Sequence, residues 1–172
     1  MENASKALII ATTVLLGVML ITFATVLFSS FASYSKDIQE ERETNALAEF
    51  NNKFTKYYNG STGEKGDKEP ILVTVHEIVS IANLAKETNI KNELQEEMAY
   101  SDVTSYIQID LESPTISNFE KKSSNEYTKF INQNDIIYNE DGTTKNKYYY
   151  CKSVGFNKLG EVNHMEFIPY KK

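Results

Sequence analysis

The sequence predicts an α+β protein: a long N-terminal helix, transmembrane in its first half and amphipathic in its second, packed on a small antiparallel four-stranded sheet with two further helices. Three observations carry that prediction. Ala7 to Ser35 runs 29 residues without one acid or base. No Gly or Pro interrupts the chain between Gly17 and Gly60, so nothing in that stretch forces a helix to stop. Beyond Val103, apolar residues recur at every second position in runs separated by turn-forming residues.

The first element is set by length. A helix rises about 1.5 Å per residue, so some 20 apolar residues cross a hydrocarbon core of roughly 30 Å. Ala7 to Phe28 supplies 22. Ser30-Phe31-Ala32 has the small-x-small form of a signal cleavage site, but the apolar run exceeds the usual h-region of about 7 to 15 residues and no basic cluster precedes it. A retained anchor is therefore expected. Thr13 and Gly17 form a small-xxx-small pair where another membrane helix could pack. Lys6 and the amino terminus on one flank nearly balance Lys36 and Arg42 on the other. The short leading tail favours a cytoplasmic N-terminus, hence a single-pass protein of the cell membrane with an extracytoplasmic C-terminal domain. The expected division is residues 1–35 for tail and span, and 36–172 for the outer domain.

The second half of the helix is legible from its stripe. Leu47, Phe50, Phe54, Tyr57 and Tyr58 fall on one helical face, with Glu49, Lys53 and Lys56 elsewhere on the turn. Leu47, Phe50, Phe54 and Tyr57 are the residues expected to pack the helix onto the domain. One helix from about Ala4 to Tyr58 follows, on the order of 80 Å long. Phe31 and Tyr34 would lie at the headgroup level.

Gly60 to Pro70 reads as a polar surface loop, since it contains neither GxxxxGK[ST] nor GxGxxG. Thr74 and Glu77 have capping-box spacing and open a helix with Val75, Ile78, Val79, Ala82 and Ala85 on one face, ending near Asn89. Val103 to Leu111 alternates as a half-buried strand, and Ser123 to Gln133 reads as a short helix with Tyr127, Phe130 and Ile131 inward. Strands at Asp135–Asn139, Lys147–Val154 and Glu161–Ile168 complete an expected antiparallel meander, turned at Glu140–Thr143 and Asn157–Gly160. In Tyr148-Tyr149-Tyr150 the alternation sets Tyr149 opposite its neighbours, which makes it a candidate surface contact; cross-strand pairing inside the sheet is the alternative.

Composition narrows the chemistry. The net charge of −6 with scattered Lys and Arg argues against nucleic acid as a partner. Cys151 is the single cysteine, so neither an intramolecular disulfide nor a thiolate metal site is available. Its place in the alternating strand run YYYCKSV suits a buried small hydrophobe. His76 and His164 are the only histidines and share no ligand spacing with a third residue, and Asn139–Gly142 lacks the ligands of a calcium loop. The acids at Glu40, Glu41 and Glu43, and at Glu93, Glu96 and Glu97, have the spacing of solvated helix faces, and GxSxG is absent. No catalytic, cofactor or metal residue is nominated, and a non-enzymatic role is expected.

A hydrophobic N-terminal helix that continues as an amphipathic helix onto a small sheet resembles the type IV pilins and pseudopilins. That resemblance implies a structural subunit of a surface or secretion assembly, associating with copies of itself or with other membrane and secretion proteins. The chain departs from the family in having no glycine within Met1–Lys6 and no acid between Glu2 and Asp37. The segments EFNNKFTKYYNG, TVHEIVSIANLAKETN, YYYCKSV and GEVNHMEF also resemble small membrane-anchored proteins of low-GC Gram-positive bacteria, a likeness that implies no activity. The other class open to the sequence is an anchored binding or accessory protein recognising a protein, peptide or glycan.

Overall fold

The computed structural model describes residues 2–61, 63, 67–94, 105–138 and 144–170; the expected Glu140–Thr143 turn, the Asn139–Gly142 comparison, Glu96 and Glu97 lie outside them. The chain opens with α1, Glu2–Thr55, which stops at Thr55 rather than at Tyr58. It divides into two compact units, Met1–Ala46 and Leu47–Lys172, so the last turns of α1 belong to the second unit. In the first unit the side chains of the apolar run, from Leu8 to Phe28, are exposed along its length.

The second unit continues with β1 (Val73–Thr74), α2 (Val75–Lys91), β2 (Gln108–Leu111), a 3-10 turn at Phe119–Lys121 and α3 (Ser124–Asn134). It ends with β3 (Ile136–Tyr138), β4 (Thr144–Asn146), β5 (Tyr148–Phe156) and β6 (Val162–Pro169). Both outer helices start on capping boxes. Thr74 Oγ1 accepts from the Glu77 N–H while the Glu77 carboxylate accepts from the Thr74 N–H, and Ser123 and Glu126 repeat the exchange.

The arrangement is α+β with a four-stranded sheet, but the sheet is mixed rather than an antiparallel meander. Its order is β1-β5-β6-β2, with β2 parallel to β6 and the other pairs antiparallel. The long connection from β2 through α3 lets the chain return in a direction that consecutive hairpins would forbid. The expected strand at Asp135–Asn139 leaves this sheet: as β3 it pairs with β4 in a separate two-stranded ribbon. Its place is taken by β1, where Val73 pairs with Tyr149 and Thr74 with Tyr148. A strand of two residues is too short to show a period, which is why the sequence carried no sign of it.

Alternation along the strands sorts the sheet into two faces. Ile109, Leu111, Cys151, Met165 and Phe167 point to the core, which α2 closes with Ile78, Ile81, Ala82 and Ala85 and α3 closes with Tyr127 and Phe130. Phe119 packs edge-on against both Tyr127 and Phe130, with ring centroids 5.1 and 4.8 Å apart. The outer edge of β2 is occupied by side chains. Asn89 both accepts from the Ile107 N–H and donates to its carbonyl, each at 2.9 Å, and the Glu120 carboxylate accepts from the Ile109 N–H at 2.8 Å. These two residues stand in for a neighbouring strand and satisfy buried backbone groups that would otherwise be orphaned.

Candidate membrane span and polar sheet face

The first candidate site is the apolar half of α1. It is long and apolar enough to cross a membrane once, and none of its most apolar stretch is buried against the rest of the protein. In hydrocarbon every polar group needs an internal partner, and the four span threonines have one. Thr12, Thr13, Thr22 and Thr25 donate their hydroxyls one turn back, to the carbonyls of Leu8, Ile9, Val18 and Ile21, at 2.8, 3.1, 2.8 and 2.7 Å. The helix therefore meets the polar requirements of lipid by itself. Thr13 lies on its exposed surface, and a Cβ added at Gly17 would meet nothing within 4 Å, so this surface is open to a neighbour. Phe31 and Tyr34 are exposed beyond the apolar run.

In the second unit the aromatic stripe of α1 reaches the core. Phe54 is fully buried, Phe50 and Tyr57 are partly buried against the same cluster, and the Phe50 and Phe54 rings lie 5.5 Å apart. Leu47 approaches Gly160 in the β5–β6 turn. Asn51, which the hydrophobic pattern did not nominate, makes the directional contact. Its Nδ2 donates to the Gly160 carbonyl at 2.7 Å and its Oδ1 accepts from the Val162 N–H at 2.9 Å. A polar residue set within an apolar stripe was the available signal.

The second candidate is the sheet face turned away from the core. Across the parallel pair, Gln108 lies beside His164 and Asp110 beside Glu166. Asp110 gathers donors: His164 Nε2 lies 3.0 Å from its Oδ2, Gln108 Nε2 donates at 2.8 Å, and the Asn118 N–H donates to Oδ1 at 2.9 Å. Burial pushes the Asp110 carboxyl up, but the bonds from His164, Asn118 and Gln108 outweigh it and hold the carboxyl below the ordinary carboxylate value. Nearby, Lys152 bridges Glu112 and Glu166 at 3.6 and 3.5 Å, and Ser153 Oγ donates to Glu166 at 3.3 Å. A histidine beside a carboxylate is two thirds of a nucleophile-activating triad, yet the Ser153 hydroxyl is turned to Glu166. The face presents hydrogen-bonding groups and charges of both signs, which suits polar contact with a partner.

The remaining nominated residues separate. Tyr149 is not a surface contact: it is fully buried, with its hydroxyl donating to the Ser113 carbonyl and Asn134 Oδ1, both at 3.3 Å, and its ring beside Phe130. The alternation of the three tyrosines holds, but α3 covers the Tyr149 side of the sheet. Tyr150, on the opposite face, is also nearly buried, because Gly63 packs directly on its ring and Tyr170 meets it edge-on. Cys151 is buried, and burial pushes its thiol up to about 12, far from the thiolate that redox or nucleophilic chemistry requires. His76 is an exposed first-turn residue 3.8 Å from Asp135. Among the described residues no group of three or more His, Cys, Asp or Glu side chains is placed to hold a metal ion. Compared with known proteins, the chain matches no family model, no curated sequence and no solved structure.

Proposed function

We propose that this protein is a non-enzymatic, single-pass membrane protein whose outer α+β domain serves as a structural subunit of a pilin-like or pseudopilin-like surface or secretion assembly. The observation that carries the proposal is α1 itself: one helix whose first half exposes apolar side chains and whose last turns contribute Phe54 to a domain core. The acid–base groups of the sheet face are held by one another, and the thiol is buried, which supports a role in contact rather than in chemistry.

A second role is favoured by one specific observation. The polar face built from Gln108, Asp110, His164, Ser153 and Glu166 suits an anchored binding or accessory protein recognising a protein, peptide or glycan. Both roles require the same topology, with the domain outside the cell.

The test begins with membranes from cells producing the full chain. Carbonate-resistant retention at full-length mass, with the domain digestible by protease added to intact cells, is the expected result. Loss of about 32 residues, as cleavage after Ala32 would produce, would replace the anchor with a secreted domain. Cysteine crosslinking along α1 then separates the two roles: ladders of crosslinked copies that Gly17→Leu abolishes support the subunit, and monomers throughout support the binding protein.

A further inference from the structure

We infer that Asn59–Gly60 is a self-modifying site, at which the Asn59 side chain converts through a cyclic imide to aspartate or isoaspartate and loses its hold on the Glu69 carbonyl. Both residues are exposed, and a Cβ placed on Gly60 would meet nothing within 4 Å, so the Gly60 nitrogen has neither a side chain of its own nor a packed neighbour to shield it. The Asn59 side chain is folded toward it: Oδ1 accepts from the Ser61 N–H at 3.1 Å, which carries the side-chain carbonyl back over the intervening peptide. Nδ2 points the other way and donates to the Glu69 carbonyl at 2.8 Å.

The chemistry needs only water. The Gly60 nitrogen loses its proton to solvent and bonds to Asn59 Cγ, and negative charge gathers on Oδ1, where the Ser61 N–H already stands as donor. The Cγ–Nδ2 bond then breaks and ammonia leaves with a proton regained from solvent. Water adds to either carbonyl of the resulting imide and opens it to aspartate or, with one more carbon in the main chain, isoaspartate. No electron is transferred.

Conversion has a structural consequence at the neck of the loop. An anionic oxygen replaces the Nδ2 donor and faces the Glu69 carbonyl oxygen, exchanging a hydrogen bond for repulsion. Ser61 also holds the neck: its hydroxyl donates to the Lys68 carbonyl and accepts from the Gly63 N–H. Gly63 in turn lies so close on the Tyr150 ring that even a methyl group would collide. Losing the Asn59 donor therefore frees the backbone at Lys68 and Glu69.

The full-length protein, incubated in detergent at mildly alkaline pH beside a synthetic peptide spanning residues 56–63, provides the test. The expected result is a mass gain of about 1 Da on the Asn59 peptide fragment, at a rate comparable to that of the free peptide, with isoaspartate among the products. Tryptic cleavage after Lys68 should be faster in Asn59→Asp than in wild type. Asn59→Ala, which loses the donor without gaining charge, should fall between them. An Asn59 that stays intact while the free peptide converts would overturn the site. Conversion without faster cleavage after Lys68, in the aged protein or in either variant, would overturn its consequence.

Discussion

At the scale of single residues, two carboxylates at β2 respond to pH with opposite sign. Asp110 is held below the ordinary carboxylate value, so its contribution is fully present above the unfolded value of about 3.9 and is lost as pH falls through the folded one. Glu120 is the reverse. Burial pushes its carboxyl up, and the Ile109 N–H, the Tyr106 hydroxyl and Lys121 only partly offset that. Stability linked to Glu120 is present at low pH and is lost as pH rises through its raised value. Urea unfolding across a pH series should show Asp110→Asn flattening the acid loss below about pH 4, and Glu120→Gln gaining on wild type as pH rises toward neutrality. Phe54 makes a simpler prediction. As a fully buried ring, its replacement by Ala should cost about 3–5 kcal/mol, and an unchanged thermal midpoint would remove α1 from the core.

At the scale of elements, the helix starts were written locally and the strand partners were not. Thr74 and Glu77 announced their capping box by spacing alone, and Ser123 with Glu126 carried the same signal. The Ser123 N–H, the Ser123 hydroxyl and Lys122 hold the Glu126 carboxyl down to about 2, so this exposed cap stays ionised well into acid. Ser123→Ala should cost about 1 kcal/mol in a chemical melt, with α3 fraying first in hydrogen exchange. The strands differ because register depends on what lies beside them. Val103 to Leu111 showed its alternation, yet nothing in it specified a parallel partner in β6. Tyr148 to Tyr150 showed alternating sides, yet which side was core depended on α3 arriving there.

For the whole molecule, the strongest prediction concerns the span. Val18→Arg places a charge near the middle of the apolar run at a cost of about 2.5–3.5 kcal/mol, and should shift the full chain from carbonate-resistant to extractable. Unchanged retention would mean that α1 does not cross lipid. The sequence by itself determined the properties that follow from short-range composition. These are a helix able to span a membrane, its uninterrupted continuation beyond the apolar run, the aromatic stripe at Phe50 and Phe54, the helix caps and the α+β class. Tertiary structure decided what depends on residues distant in the chain: the mixed sheet, the burial of Tyr149, the bridge from Asn51 to the β5–β6 turn, and the meeting of Asp110 with His164. The physical reason is range. Hydrophobic periodicity and capping are settled within a few turns of chain, whereas a polar side chain gains its partner only when the core has brought the strands together.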